Sequence, residues 1–352
     1  MQLSVVICTY NYAHFLKDAL RTVAAQRFSD FELVIVDDGS SDNTEDLVKQ
    51  FTPQFHKCTY VQKPHSGLAD SRNVGIRIAS GSHIAFLDAD DLWSPEYLNI
   101  VRAAFLTEPR AEIIVADGFR VQESGDITDT LFPAGLPRVQ GQIRTARELF
   151  SWFRFAAPSA TALTKSLYER VGLFNSILPN GAEDWHWFIR ATQVGAFCVR
   201  LNEKLVLYRQ HGENLTATMP SQMFEGWLQI YSELLKSAAV RDPELGSYAR
   251  KITYSRVIRL LSHSGASNGR YLLDKTMETF GTNMFLRATR GLTHFGLCAV
   301  LSLGWHLKRR LKFLSSKKTF DLGAFPERIF ESIFPNLHKR SNVSMIKQEI
   351  GQ

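Results

Sequence analysis

The stretch Phe86-Leu87-Asp88-Ala89-Asp90-Asp91 decides how the chain around it is organised. Residues 82–87 have the pattern of a short buried strand, and this strand leads into three carboxylates. Side chains on a strand alternate between faces, so we expect Asp88 and Asp90 to point the same way. Two aligned carboxylates at the end of a strand suit a hard cation such as Mg²⁺ or Mn²⁺. The alternative is a loop whose acids cap a helix starting at Ser94-Pro95.

Before this stretch, the pattern predicts strands over 3–9, 31–36 and 58–62 and helices over 12–26, 43–51 and 67–79. Strand and helix patterns thus alternate, which predicts an α/β fold with a parallel sheet. In open α/β sheets, ligands bind beyond the carboxyl ends of the strands. Polar clusters follow three of the predicted strands, namely Thr9-Tyr10-Asn11, Asp37-Asp38-Gly39-Ser40 and Asp88-Ala89-Asp90. Three such clusters at one edge of a sheet favour a shared site over three unrelated loops.

The pattern loosens after Asp91, but it still predicts regular elements as far as residue 262. We predict helices over 95–106, 144–155, 165–171, 181–194, 222–237 and 243–262, and strands over 112–116, 118–121, 158–164, 197–201 and 205–208. Residues 123–142, rich in Gly, Pro and Asp, are predicted to be a loop. The chain therefore divides into an α/β domain over residues 1–215 and a helical region over residues 216–352.

Composition places the chain among folded globular proteins, with 45% apolar and 22% charged residues in a length of 352. The four cysteines are scattered and form no CxxC pair, so we expect neither disulfides nor a zinc site, as in a reducing cytosol. No secretory signal is visible before the first strand, and we expect a cytoplasmic location.

The basic charge is concentrated in one C-terminal segment. Residues 287–318 hold eight Lys or Arg and no acid, and outside them 33 basic residues face 35 acidic ones. Within the segment, residues 291–307 are uncharged with neutral histidines but shorter than the ~20 residues that span a bilayer. We expect an interfacial helix on an anionic membrane surface, with a buried helix of a bundle as the alternative. No motif for nucleic acid accompanies the charge, so we expect no nucleic-acid partner.

Six segments, in order over residues 1–215, resemble the motifs of family-2 glycosyltransferases with a GT-A fold. They are Thr9-Tyr10-Asn11, Asp37-Asp38-Gly39-Ser40, Gly67–Gly75, Asp88-Ala89-Asp90, Glu183-Asp184-Trp185 and Tyr208-Arg209-Gln210-His211. The resemblance implies a nucleotide-diphospho-sugar transferase fold with a mostly parallel central sheet. The chain departs from the family at Cys8, where many relatives carry Pro. It also lacks a Gln-x-x-Arg-Trp motif after residue 184, which favours transfer of a single sugar over processive synthesis.

The resemblance also implies a nucleotide pocket on the N-terminal side of the site. Asp38 is expected to accept a hydrogen bond from a uracil N–H, while Asp37 bonds the amides of the following turn. Thr9, Tyr10 and Asn11 are expected to line this pocket, although an Asn that only shapes a turn is the ordinary alternative. The segment from Gly67 closes over the sugar nucleotide. Arg72 in that segment is expected to bind the diphosphate, with a surface salt bridge as the alternative.

The metal and the catalytic base follow from the same resemblance. Asp90 is the expected direct metal ligand, and Asp88 binds the ribose or the metal. We expect His211 to contact metal or phosphate, with a packing role as an equal alternative. Asp91 is expected to cap the helix start at Ser94.

Asp184 is the expected general base, in the first turn of a helix whose dipole favours an ionised carboxylate. Glu183 would orient the site or contact the acceptor. Trp185 and Trp187 would form an apolar wall facing the acceptor.

These expectations together describe an inverting transferase that depends on Mn²⁺ or Mg²⁺ and uses a nucleotide-diphosphate sugar, with uridine as the expected nucleoside. The expected acceptor is a hydroxyl of a saccharide or a lipid-linked saccharide in surface polysaccharide assembly. The enzyme would lie on the inner face of the plasma membrane. Two alternatives are a nucleotidyltransferase, which would need a Gly-rich phosphate loop that residues 8–15 lack, and a non-catalytic membrane scaffold.

Overall fold

The computed structural model describes residues 1–132, 139–142, 157–178, 181–218, 220–236, 271 and 273–278. These residues fall into two compact units. The first contains the described residues of 1–176 and 183–211, and the second contains those of 177–182 and 212–278.

Ten strands of the first unit form one sheet. They are β1 (Leu3–Thr9), β2 (Phe31–Asp37), β3 (Lys57–Gln62), β4 (His83–Asp88), β5 (Leu92–Trp93), β6 (Ile113–Gln122), β7 (Ile127–Thr130), β8 (Val139–Gln142), β9 (Thr161–Thr164) and β10 (Phe197–Gln210). The order is β3-β2-β1-β4-β9-β6-β10-β5, with β7 beside β6 and β8 beside β10. Six strands, β1 to β4, β6 and β10, run in one direction, and four short strands run in the other. The predicted mostly parallel sheet is confirmed.

Helices connect the strands of the first unit, which confirms the predicted α/β class. They are α1 (Ala13–Ala24), α2 (Thr44–Phe51), α3 (Leu68–Ile78), α4 (Tyr97–Thr107), α5 (Lys165–Val171) and α6 (Glu183–Gln193). In the second unit, α7 (Leu215–Thr218) and α8 (Pro220–Lys236) are described. Helix α3 begins after Gly67, whose φ of 97° lies in the left-handed region that glycine tolerates best.

The central strands are apolar because both faces of the sheet are covered. Every residue of β1 is buried, as are six of the seven residues of β2. Burying an aliphatic side chain contributes about 1.5–3 kcal/mol relative to leaving it exposed. The apolar runs therefore occupy the middle of the sheet, and polar residues appear where the strands end.

Two pairs of predicted strands are single strands in the structure. Residues 113–122 form β6, and residues 197–210 form β10, which bulges between Arg200 and Val206. A Cβ at Gly118 would lie 2.2 Å from the Val206 carbonyl oxygen, so this close approach of two backbones requires glycine. In β10, the exposed Asn202 and Glu203 interrupt the apolar pattern at the bulge, but they do not end the strand.

The predicted loop over 123–142 is wrong in part, because β7 and β8 lie within it. Residues 158–160 form a 3-10 turn before β9 instead of extending the strand. The predicted helices over 144–155 and 243–262, and the basic segment 287–318, lie outside the described residues. Within the part of the chain that the structure describes, no helix is long and apolar enough to cross a membrane.

Candidate active site

The carboxyl ends of β1, β2 and β4 bring the predicted polar clusters to one edge of the sheet. Thr9 on β1 pairs in register with Asp37 on β2, and Cys8 pairs with Asp88 on β4. The backbone N–H of Asp38 donates to the Thr9 carbonyl at 2.9 Å, so the first two clusters are directly joined. The parallel register therefore places acids that are distant in sequence at neighbouring strand ends.

The Asp88–Asp91 segment forms a turn at the end of β4. Strand β4 ends at Asp88, and the Asp91 N–H donates to the Asp88 carbonyl at 3.0 Å. The predicted strand-like alternation of Asp88 and Asp90 is wrong, because Asp90 lies in the turn. Burial raises the pKa of Asp88; the Arg72 guanidinium opposes this effect, and the charge of Asp90 adds to it. The Nε2 atom of His211 lies 3.0 Å from Asp90 Oδ2.

Arg72 joins this turn to the acids that open α6. Its Nη2 donates to Asp88 Oδ1 at 2.8 Å, and its Nη1 donates to Glu183 Oε1 at 2.7 Å. Only 2% of the Arg72 side chain is exposed, so the surface salt bridge of the alternative prediction is excluded. Burial alone would lower the pKa of Arg72, but the carboxylates of Asp88 and Glu183 raise it above its usual value.

Asp184 follows Glu183 in the first turn of α6 and is half-buried. Burial is the largest cause that raises its pKa to about 7; the charge of Glu183 adds to the increase, and Arg72 opposes it. A carboxylate with this pKa can both accept and release a proton near neutral pH. The Glu183 side chain is 2% exposed and faces Arg72, so Asp184 is the more accessible acid of the pair.

The two tryptophans of α6 lie mainly in the protein interior. Trp187 is fully buried, its Nε1 donates to the Gly172 carbonyl at 2.7 Å, and its ring packs on Tyr168 and Phe174. The expectation that Trp187 forms a wall facing an acceptor is therefore wrong. Trp185 is 7% exposed, and its proposed contact with an acceptor stays a prediction.

Asp37 and Asp38 have separate roles in shaping the N-terminal side of the site. Asp37 accepts from the Ser40 N–H at 2.8 Å and from the Tyr60 hydroxyl at 2.6 Å. Asp38 accepts from the N–H groups of Ser66 and Gly67, both at 2.9 Å, and from the Lys63 ammonium.

Burial would raise the pKa of Asp38, but the hydrogen bonds from Lys63, Ser66 and Gly67 lower it below its usual value. Asp38 thus holds the 63–67 loop at this edge of the sheet. Its contact with a nucleobase stays a prediction.

Thr9, Tyr10 and Asn11 lie beside this loop. Asn11 has a φ of 54°, the left-handed conformation that Asn tolerates in turns, and its Oδ1 accepts from the Ser41 N–H at 2.8 Å, which ties this turn to the loop after β2. The exposed ring of Tyr10 stacks on His65 with a centroid distance of 4.1 Å. Thr9 is buried, and its Oγ1 has no hydrogen-bond partner within the described part of the chain.

Asp91 does not cap the following helix, contrary to the prediction. Helix α4 begins only at Tyr97, and Asp91 is 1% exposed. It accepts from the Ser159 hydroxyl at 2.5 Å and from the Arg209 N–H at 3.0 Å. Burial raises the pKa of Asp91 well above its usual value, and the charges of Asp90 and Asp88 add to the increase. No sequence pattern pointed to Ser159.

The donor atoms at this edge fit a hard divalent cation. Asp88 and Asp90 supply carboxylate oxygens whose mutual repulsion a cation would relieve, and His211 supplies an imidazole nitrogen beside Asp90. Among the described residues, no group of three or more His, Cys, Asp or Glu side chains forms a complete metal site. The pair Asp88 and Asp90 is comparable to the way proteins usually hold Mg²⁺, through one or two carboxylates together with substrate phosphates.

Residues 4–172 match the family model described as glycosyl transferase family 2. This segment of the chain is a family-2 glycosyl transferase domain. The matched residues include the clusters at Thr9–Asn11 and Asp37–Ser40, together with Arg72 and the turn at Asp88–Asp91, called the acid turn below. Asp184 and His211 lie beyond them.

The chain as a whole also resembles individual proteins, and its match to the first of them extends beyond residues 4–172. It is 30% identical over 224 residues to an uncharacterised glycosyltransferase of Nostoc sp. strain PCC 7120, covering 61% of this chain and 66% of that protein. The structure of S. aureus TarS 1–349 in complex with UDP-GlcNAc aligns with a TM-score of 0.57 and 19% identity, covering 92% of this chain and 94% of that one.

The structure of the mannosyltransferase PcManGT from Pyrobaculum calidifontis, in complex with GDP-Man and Mn²⁺, aligns with a TM-score of 0.52 and 17% identity. It covers 86% of each chain. At these identities, the likeness to both solved structures concerns the fold, and it agrees with the predicted GT-A architecture.

Proposed function

We propose that this chain is an inverting glycosyltransferase that moves one sugar from a nucleotide-diphosphate sugar to an acceptor hydroxyl. The observation that carries the proposal is the buried ion pair of Arg72 with both Asp88 and Glu183. It joins the acid turn, which suits a diphosphate and its cation, to the helix that presents Asp184. A site for a charged leaving group and a base with a pKa of about 7 are thereby held together.

In the proposed reaction, the acceptor oxygen attacks the anomeric carbon as the bond from that carbon to the diphosphate oxygen breaks. Asp184 takes the hydroxyl proton, and the nucleoside diphosphate leaves with the bonding electrons. Attack on the face opposite the leaving group inverts the anomeric configuration. Arg72 and Glu183 keep Asp184 beside the acid turn without joining the proton transfer.

Asp88 and Asp90 are the residues that would hold Mn²⁺ or Mg²⁺, with His211 beside Asp90. A bound divalent cation supplies charge stabilisation to a departing diphosphate. The structure of PcManGT in complex with GDP-Man and Mn²⁺ supports this choice of cofactor within the shared fold. Because Asp88 also accepts from Arg72, it would serve the cation through its other oxygen or through water.

The proposed donor is a uridine diphosphate sugar. TarS, which shares the fold, has been solved with UDP-GlcNAc, whereas PcManGT has been solved with GDP-Man. We propose that the nucleoside is surrounded by the rings of Tyr10 and His65 and by the 63–67 loop, which Asp38 holds in place. Arg72 is turned towards acids, so its proposed contact with the diphosphate requires that it share its guanidinium between Asp88 and a phosphate.

The proposed acceptor is a saccharide or lipid-linked saccharide hydroxyl in surface polysaccharide assembly. The basic segment 287–318 supports a position at an anionic membrane, on its cytoplasmic face. The lack of a Gln-x-x-Arg-Trp motif after residue 184 supports transfer of a single sugar.

The proposal is tested by incubating the full chain with a panel of uridine and guanosine diphosphate sugars, with Mn²⁺, Mg²⁺ or chelator. Release of the nucleoside diphosphate is the readout. We expect consumption of at least one donor with a metal present and none with chelator. Asp184→Asn should bind UDP with Mn²⁺ as tightly as the wild type does, yet lose transfer. Asp90→Ala should lose metal-dependent binding. A wild-type protein that neither binds nor consumes any donor overturns the proposal.

A further inference from the structure

The acid turn at Asp88–Asp91 is held by a residue from a distant part of the chain. The Oγ atom of Ser159 accepts from the Asp88 N–H at 3.0 Å and donates to Asp91 Oδ2 at 2.5 Å. The Ser159 carbonyl accepts from Trp93 Nε1 at 2.7 Å. Ser159 therefore contacts the first and last residues of the turn and the strand that follows it. Its side chain is fully buried, as is that of Trp93.

The hydrogen-bonded pair of Ser159 and Asp91, called the bracket below, also contacts β10. The second carboxylate oxygen of Asp91 accepts from the Arg209 N–H at 3.0 Å. Arg209 lies two residues before His211, whose Nε2 is 3.0 Å from Asp90. Asp88 is bonded directly to the pair of Ser159 and Asp91, Asp90 is the residue before Asp91, and His211 lies two residues after Arg209, which is bonded to Asp91.

We propose that Ser159 and Asp91 are positioning residues that set the geometry of the cation-binding groups Asp88, Asp90 and His211. This inference rests on the proposed function, in which these groups hold Mn²⁺ or Mg²⁺. Strand β4 ends at Asp88, and Asp90 lies in the turn that follows. The buried bracket holds the two ends of this turn, Asp88 and Asp91, and both of its members use their hydrogen-bonding capacity on the turn and its neighbours.

The protein contains a matched control at the other end of the strands, where β1 begins. Ser4 is also fully buried, and its Oγ accepts from the Gly81 N–H at 2.9 Å and donates to the buried Glu32 carboxylate at 2.6 Å. The two serines thus have the same hydrogen-bond pattern. Ser4 lies at the start of β1 and Ser159 beside the end of β4, so Ser4 is remote from the proposed cation site.

The test compares Ser159→Ala with Ser4→Ala in the full chain, by calorimetric titration of Mn²⁺ in the presence of UDP and by thermal unfolding. Loss of a buried hydroxyl should lower the Tm of both variants by a similar amount. Only Ser159→Ala should weaken Mn²⁺ binding, by about 10-fold or more, as is usual when a residue supporting metal ligands is removed. Equal Mn²⁺ affinity in the two variants overturns the proposal, as does a wild-type protein that binds no Mn²⁺ with UDP.

If Ser159→Ala does not fold, Ser159→Cys carries the test, because it keeps the approximate size with a weaker hydrogen-bonding group. We expect it to lose several-fold in Mn²⁺ affinity, and unchanged affinity overturns the proposal. The proposed function fails separately: a wild-type protein that binds Mn²⁺ with UDP but consumes no donor contradicts the transferase, while the serine comparison still decides the bracket.

Discussion

At the scale of single residues, Arg72 holds Asp88, at the end of β4, close to Glu183, at the start of α6. A buried guanidinium requires compensating charge. Asp88 supplies it at Nη2 and Glu183 supplies it at Nη1. Lysine would not replace it well, because an ammonium is a point charge that does not form the same two-sided fork. The guanidinium therefore acts both as a counterion and as a spacer between the end of β4 and the start of α6.

Replacing Arg72 by Met should leave two buried carboxylates without their counterion. We expect the free energy of unfolding to fall by about 3–5 kcal/mol. If the variant folds, kcat should fall by at least about 100-fold because Asp184 is displaced. Urea unfolding and donor turnover measure the two effects. Arg27→Met is the control: Arg27 pairs with Glu96 but is 73% exposed, so its loss should cost at most about 1 kcal/mol. Equal losses in both variants contradict the role of Arg72.

The ionisation of Asp184 predicts how the reaction depends on pH. A base must be deprotonated to act, and burial raises the pKa of Asp184 to about 7. We therefore expect kcat/KM to rise with pH up to about 7 and to level off above it. The profile between pH 5.5 and 9 at fixed Mn²⁺ measures this. Because Asp184→Asn should lose transfer, any residual turnover of this variant should stay low and show no rise over the same pH range. A wild-type profile that is flat across neutral pH would remove Asp184 as the base.

At the scale of secondary-structure elements, the starts of β1, β2 and β3 are joined by Glu32. Its carboxylate accepts from the Ser4 hydroxyl at 2.6 Å, from the Ser80 N–H at 2.7 Å and from the Lys57 ammonium at 2.6 Å. Burial would raise the pKa of Glu32, but these donors outweigh it and lower the pKa to about 2. The starts of these strands therefore carry an acid with a structural role, while the candidate site lies at their carboxyl ends.

Glu32→Gln should destabilise the domain by about 2 kcal/mol at pH 7, because hydrogen bonds to a charged group are lost. Since folding lowers the pKa of Glu32, its stabilising effect is present above about pH 4.5 and declines as pH falls towards 2. The difference in unfolding free energy between wild type and variant should therefore shrink from pH 7 to pH 3. Urea unfolding at both values measures it, and donor binding at pH 7 should be unchanged. A constant difference would show that the charge of Glu32 is not the stabilising feature.

At the scale of the whole molecule, charge is distributed unevenly between the α/β unit and the C-terminal part. Residues 287–318 carry eight positive charges and no acid, whereas the rest of the chain has a slight acidic excess. Each basic residue near an anionic membrane contributes about 1 kcal/mol to binding. The asymmetry is what a protein held at a membrane surface by one segment would show.

Changing Lys308, Arg309 and Arg310 together to Gln should weaken binding to phosphatidylserine vesicles by about 100-fold, as expected for three charges. Flotation of the full chain at low salt measures binding. Raising the salt should release the wild type, and neutral vesicles should bind neither protein. Undiminished flotation of the triple variant would mean that the basic segment has another role.

Much of the fold and part of the site follow from local pattern. The strands at β1, β2, β3 and β4 and the helices between them lie within a few residues of their predicted bounds, because buried apolar runs and helical spacing are strong signals. Prediction failed where the signal was weak. The break expected within β10 reflected the exposed Asn202 and Glu203, which lie at a bulge inside a continuous strand.

The sequence alone predicts the α/β order, the resemblance to family-2 glycosyltransferases and the acids at the strand ends. It does so because periodicity and short motifs are properties of contiguous residues. The tertiary structure decided how those acids are arranged and which groups they contact. It placed Asp90 in a turn, buried Trp187, and brought Arg72 to Glu183, 111 residues away. It also placed Ser159 against the Asp88–Asp91 turn. Such contacts depend on the register and packing of the whole sheet, which no local stretch of sequence encodes.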